Sequence, residues 1–152
     1  MLPEIKTILL AMTPINELRG TIPIAILIFG LTPIKVFFLA WIGNMIPIVF
    51  LLWFWKYLSE NWASKNKLIK KFLDWVFKRT RKRFYKKYSL YGDLALIILV
   101  AIPLPFTGAW TGSIAAFLFG ISYGRSLGLI SIGVLIAGVI VTAVTTGIYS
   151  FL

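Results

Sequence analysis

Two opposite charges, Glu17 and Arg19, interrupt an otherwise apolar stretch inside the break Pro14-Ile15-Asn16-Glu17-Leu18-Arg19-Gly20. Arginine presents a planar fork of donors that suits a phosphate or a carboxylate. A buried glutamate can titrate, because burial raises its proton affinity while a neighbouring guanidinium lowers it. An i, i+2 spacing points side chains apart on a regular helix, but a turn flanked by Pro and Gly removes that constraint. The pair reads as an anion-binding or proton-coupling element, and an ion pair that only holds the loop is the structural alternative.

Other polar residues join it. Thr21 and Thr111 each follow a break and precede an apolar arm, the place of a helix N-cap, with Pro23 close to a favoured first turn. Two half-helices so placed would aim positive N-terminal ends at a common anion. Thr107, Trp110 and Ser113 supply polar contacts from the second break and no ionisable group. Asn44 follows Gly43 in the first long apolar stretch, as a hydrogen-bond partner for a tip or for a neighbouring helix. Glu17, Arg19, Thr21, Asn44, Thr107, Trp110, Thr111 and Ser113 are the candidate substrate-binding set. Lys35 and Arg125 mark membrane boundaries, where long cations snorkel.

The residue inventory excludes much other chemistry. The chain has no His and no Cys, so zinc sites of the usual kind, thiol chemistry, Ser-His-Asp triads and disulfides are ruled out. The five carboxylates are Glu4, Glu17, Glu60, Asp74 and Asp93, and no two are closely spaced on an apolar helix. One buried acid without His, Cys or a second acid is a poor catalytic set, so neither an enzyme nor a metal or cofactor is expected.

What positions these residues is apolar sequence. Of 152 residues 59% are hydrophobic and 14% charged, with mean hydropathy +0.89, whereas a soluble domain needs a charged skin near a quarter of its residues. The apolar residues come in long blocks, so the solvent is a bilayer and the class is an all-α integral membrane protein. The N-terminus lacks the basic region and small-residue cleavage pattern of a removable signal peptide.

A shift of 90 residues aligns the halves without gaps. Thr21/Thr111, Ile24/Ile114, Ala25/Ala115, Phe29/Phe119, Gly30/Gly120, Leu39/Leu129, Ile42/Ile132, Gly43/Gly133, Ile46/Ile136 and Val49/Val139 are identical, and Lys35 falls on Arg125. Ten identities in thirty positions compare with about three from apolar composition alone, at roughly a tenth per position. Each repeat has two arms too short for a ~30 Å core, then one full span. The first repeat covers 1–58, with a hairpin about 5–31 and a span about 36–58 interrupted at Gly43-Asn44 and Pro47. The second covers 91–152, with a hairpin about 94–121 and a span about 127–151. Short arms around a Pro/Gly break predict re-entrant hairpins. One hairpin plus one span is an odd number of crossings, so the repeats are inverted and their tips meet near the midplane.

Between the repeats lies a basic connector, 59–90. Lys56 to Lys87 holds 12 of the 16 Lys/Arg, interleaved with Leu68, Ile69, Phe72, Leu73, Trp75, Val76, Phe84, Tyr85 and Tyr88 at helical spacing. Such a helix lies on the membrane surface or is a solvated connector. The net charge of +11 is concentrated there, which favours anionic lipid over nucleic acid. The positive-inside rule places the connector in the cytoplasm and the chain in the cell membrane as a multi-pass protein. A body this thin must have its tips covered, which predicts a homo-oligomer, first a homodimer, with the Gly-rich final span as interface.

Glu17-Leu18-Arg19-Gly20-Thr21-Ile22-Pro23, Gly43-Asn44 and Pro103-Leu104-Pro105-Phe106-Thr107-Gly108-Ala109-Trp110-Thr111-Gly112 resemble the signature stretches of the putative small multidrug export protein family. That family is similar to the wider DedA/VTT (SNARE-associated) membrane proteins, pictured with two facing re-entrant hairpins. The resemblance covers nearly the whole chain except the basic connector. It implies transport: drug export by the family name, and carriage or scrambling of lipid, including polyprenyl phosphate, by the DedA relatives. The expected function is thus a small transporter or flippase of an anionic or amphiphilic substrate. The alternative is a membrane-embedded scaffold or assembly factor working through its connector.

Overall fold

The computed structural model describes residues 2–62, 65–103 and 107–151, whose regular structure is entirely helical. In chain order these are α1 (Pro3–Met12), α2 (Glu17–Leu27), α3 (Pro33–Tyr57), α4 (Lys67–Tyr91), α5 (Asp93–Ala101), α6 (Ala109–Leu118) and α7 (Tyr123–Phe151), with a π-helical turn at Leu58–Trp62. Leu104, Pro105 and Phe106 of the second motif lie outside the described residues, as does the side chain of Phe84.

Pro3 opens α1, where its missing N–H is one the first turn would leave unpaired anyway. The helix stops at Thr13, whose N–H and hydroxyl both return to the Leu10 carbonyl at 3.1 and 2.7 Å. Helices α1 and α2 have 10 and 11 residues and span about 15–17 Å at 1.5 Å per residue, roughly half of a hydrocarbon core. They form a hairpin: the Lys6 ammonium lies 5.8 Å from the Phe29 ring centre, and Glu4 pairs with Lys35 at 2.7 Å. Helices α5 and α6, of 9 and 10 residues, do the same. Arg125 Nε donates to Asp93 at 2.6 Å, and the Tyr88 ring stacks on Phe119 at 4.2 Å.

Helices α3 and α7 are each long and apolar enough to cross a membrane, and only 33% and 28% of their most apolar windows are buried inside the protein. Phe38, Phe50 and Trp53 of α3 and Val139, Val144 and Ile148 of α7 are exposed, as lipid-facing side chains would be. The two run antiparallel. The Phe37 ring lies where Gly138 leaves room, and the Tyr123 hydroxyl donates to the Val49 carbonyl at 2.9 Å.

Gly43-Asn44 and Pro47 do not interrupt the first span, contrary to expectation; α3 is continuous through them. Pro47 removes only the hydrogen bond that the Gly43 carbonyl would have accepted. Gly43 instead lets α1 approach: a β-carbon there would lie 2.6 Å from the Ile8 carbonyl oxygen and 2.9 Å from Ala11 Cβ. Its partner at offset 90, Gly133, is held equally close by Val100 Cβ at 2.7 Å and the Ile97 carbonyl oxygen at 3.0 Å. Other equivalences follow the same offset. Gly30 and Gly120 have φ +67° and +68°, Val36 N–H donates to Thr32 and Ser126 N–H to Ser122, and Lys35 and Arg125 each bind the acid that opens a hairpin.

Helix α4 docks on the rest by one face. Leu73 and Thr80 are buried, and Phe77 meets the rings of Trp55 and Phe117 at 6.4 and 5.4 Å. Its other face leaves Leu68, Phe72, Trp75 and Tyr85 exposed among lysines and arginines.

Candidate functional site

The two hairpin turns meet. Glu17, the first residue of α2, is buried at 5% exposure, and its carboxylate lies against the start of α6. Its Oε1 accepts a long 3.4 Å bond from the Trp110 N–H, with the Ala109 amide also facing it. This is the orientation the helix macrodipole favours, an anion at an N-terminus whose first N–H groups have no partner in their own helix. Gly108 permits the approach: any β-carbon there would overlap the carboxylate, and the residue's φ of +133° is itself one that L side chains rarely adopt.

Arg19 serves the opposite helix end. Its Nη1 donates to the carbonyl and hydroxyl oxygens of Thr107 at 2.9 and 3.1 Å, and its Nη2 to the carbonyls of Val100 and Ile102 at 3.2 and 3.1 Å. Thr107 in turn donates its hydroxyl to the Ile102 carbonyl at 2.9 Å. Val100 and Ile102 flank the last residue of α5, where carbonyls lack helical partners. One hairpin therefore supplies the anion for the N-terminus and the cation for the C-terminus that the other hairpin's break exposes. Lysine, with a point charge, cannot reproduce a fork that reaches three backbone carbonyls and a hydroxyl.

Glu17 itself has φ +44°, an uncommon conformation for a residue with a side chain. The Glu17 N–H still donates to the Thr13 carbonyl at 2.9 Å, so the residue sits at the hinge between turn and helix.

Several expected positions are corrected. Thr21 is not an N-cap, because α2 begins four residues earlier; it is buried and its hydroxyl donates to the Glu17 carbonyl one turn back. Pro23 lies inside α2 rather than at its start. Thr111 lies inside α6, which starts at Ala109, with Gly108 at the cap position. The N-terminus of α6 is not a vacant anion site, since Glu17 occupies it. Ser113 faces α3 rather than the tip: it accepts from the Trp55 indole N–H at 3.0 Å and donates to the Trp110 carbonyl at 2.6 Å. Asn44 is fully buried, and among the described residues its amide atoms hydrogen-bond neither a tip nor a neighbouring helix. Trp110 contributes its backbone N–H, and its buried indole N–H has no partner among the described residues.

Glu17, Arg19, Thr107 and Trp110 are thus brought into one constellation. Gly108 and the carbonyls of Val100 and Ile102 belong beside them, without being candidates from the sequence. Only Gly108 carried a signal, as the glycine between Thr107 and the start of an apolar arm. No group of three or more potential metal-ligating residues occurs among the described residues.

Residues 17–140 match the family described as "Putative small multi-drug export protein". No curated protein and no solved structure shows significant similarity to the chain.

Proposed function

Because the chain belongs to the family of putative small multi-drug export proteins, we propose that it is a small multi-pass membrane transporter or flippase whose substrate is an anionic, phosphate-headed amphiphile handled where the two hairpins meet. The observation that carries this is the reciprocal capping by Glu17 and Arg19. A substrate phosphate offers the α6 N-terminus and the Arg19 fork what Glu17 and the α5 carbonyls offer them now, so it can exchange with these internal partners. Exchange releases the tips from each other and lets one hairpin move against the other. Protonation of Glu17 would release it from the α6 N-terminus in the same way, which makes proton coupling part of the proposal.

In this reading the hairpins are re-entrant, the halves are inverted repeats, and α4 lies on the cytoplasmic side of the cell membrane. The short arms, the antiparallel spans, the matched glycines at offset 90 and the ion pairs of Lys35 and Arg125 support it. So does the basic charge of α4. The kinship with DedA/VTT proteins belongs to this same reading. A homodimer through α7 is favoured by Gly124 and Gly128, four residues apart with open space around both, a spacing that suits close helix contact in lipid.

The test is flux of a labelled phosphate-headed amphiphile in proteoliposomes. Movement should depend on Arg19 and Glu17; if Arg19→Ala and Glu17→Gln both transport normally, the site is elsewhere. The scaffold reading is favoured by the exposed basic-aromatic face of α4. Neutralising the lysines and arginines of 65–87 separates the two, since a scaffold loses its role and a carrier keeps substrate binding.

A further inference from the structure

A second candidate site lies where α3 gives way to the π-helical turn and α4 crosses back. Trp53, Phe54 and Tyr57 on one side and Leu68, Ile69 and Phe72 on the other line an apolar groove of about 520 Å³. Trp53 and Phe72 are 61% and 58% exposed and Leu68 is 78% exposed, a contiguous apolar surface of the kind that marks an interaction site. The Trp53 and Tyr57 rings stack at 5.3 Å and make one wall flat.

Tyr57 also belongs to a second depression, of about 480 Å³ and mixed polarity, lined with Asn61, Lys65 and Asn66. The two therefore adjoin at Tyr57, one apolar and the other polar with a cation. Lys56, Lys67 and Lys71, sequence neighbours of the lining residues, are exposed, and Glu60 is the one acid in the sequence from 56 to 73. Helix α3 has 25 residues and a length of about 37 Å, more than a ~30 Å hydrocarbon core, so its Tyr57 end reaches headgroup level. Stacked Trp and Tyr at that level are the usual furniture of a membrane interface.

We infer that this composite groove holds one anionic phospholipid of the leaflet on the α4 side, an acyl chain lying along Trp53, Leu68 and Phe72 and the headgroup phosphate against Lys65. Charge complementarity selects the occupant: a zwitterionic lipid fills the apolar half equally well but gains less from the lysine-rich end. The site shares no residue with the Glu17–Arg19 constellation, so bound lipid here anchors α4 rather than being carried.

Native mass spectrometry of the full chain in neutral detergent tests this, with phosphatidylglycerol and phosphatidylcholine of identical chains. Phosphatidylglycerol should be retained preferentially, and Lys65→Gln should cut its affinity about fivefold, the size expected of one lysine at a lipid surface. Leu68→Ser with Phe72→Ser, both at exposed positions, should lower retention of both lipids. Brominated-chain phosphatidylglycerol should quench less of the fluorescence in Trp53→Phe than in the parent. The loss caused by Lys65→Gln should be the same in an Arg19→Ala background, which separates this groove from the Glu17–Arg19 junction. Equal retention of the two lipids, phosphatidylglycerol retention indifferent to Lys65→Gln, or displacement of lipid by an acidic amphipathic peptide of higher affinity would overturn the assignment.

Discussion

The carboxylate of Glu17 occupies the space that a side chain on Gly108 would need, across the junction of two hairpins 91 residues apart in sequence. The contact explains why a glycine precedes α6 and why Glu17 accepts a left-handed backbone. Removing either partner should reach both hairpins.

Gly108→Ala is therefore expected to destabilise more than Gly30→Ala. The Gly30 site has φ +67° and nothing within 4 Å, so alanine there carries only the left-handed backbone cost of about 1–2 kcal/mol. At Gly108 alanine adds expulsion of the Glu17 carboxylate, about 1–3 kcal/mol more. Thermal unfolding midpoints in detergent check the order; equal midpoints would mean that Glu17 moves away freely.

Asn44→Leu should stabilise the protein, because it replaces a fully buried amide that makes no hydrogen bond with an apolar group of similar size. The gain is about 1–3 kcal/mol on removal of an unsatisfied polar group. If the amide finds partners in a second arrangement of the hairpins, the same variant loses transport. A stability rise with flux intact would confine Asn44 to a structural role.

Glu4 gives a pH dependence with a definite sign. The hydrogen bond from Lys35 holds its carboxyl below the ordinary carboxylate range. A folded-state value below the unfolded one contributes stability above that range, lost as pH falls through the folded value. Unfolding midpoints of the parent should therefore drop in acid more than those of Glu4→Gln. The difference should be small and salt-sensitive, since the pair is partly exposed to solvent.

Gly128→Leu should leave the monomer fold intact, since nothing lies within 4 Å of a β-carbon at that position, and should break the proposed dimer. Light scattering in detergent reads the mass directly. Gly133→Leu is the contrasting variant: Val100 lies 2.7 Å from its β-carbon position, so it should disrupt folding. A dimer that survives Gly128→Leu moves the interface off this face.

Much of this architecture is legible in residue order. Arms of 9 to 11 residues beside spans of 25 and 29 follow from where Pro, Gly and charge fall. The meeting of Glu17 and Arg19 with Thr107 and Trp110 follows from two such breaks. Local rules failed where a distant group decided the outcome. Thr21 looked like a cap because it follows Gly20, but α2 starts at Glu17, whose carboxylate is taken up by an amide 93 residues away. Ser113 looked like a tip residue, yet Trp55 turns it toward α3 from 58 residues away. Gly43 looked like a helix break because its value is in contact with α1, which periodicity does not register.

The proposed double role of Arg19, at the closed junction and at the substrate, is tested most directly by initial rates of phosphate-headed amphiphile flux through proteoliposomes. Parent, Arg19→Lys and Arg19→Ala proteins are compared at equal, verified incorporation. Flux is expected in the parent, reduced flux in Arg19→Lys, which keeps the charge without the fork, and protein-free background in Arg19→Ala. Parental flux in Arg19→Ala would contradict it.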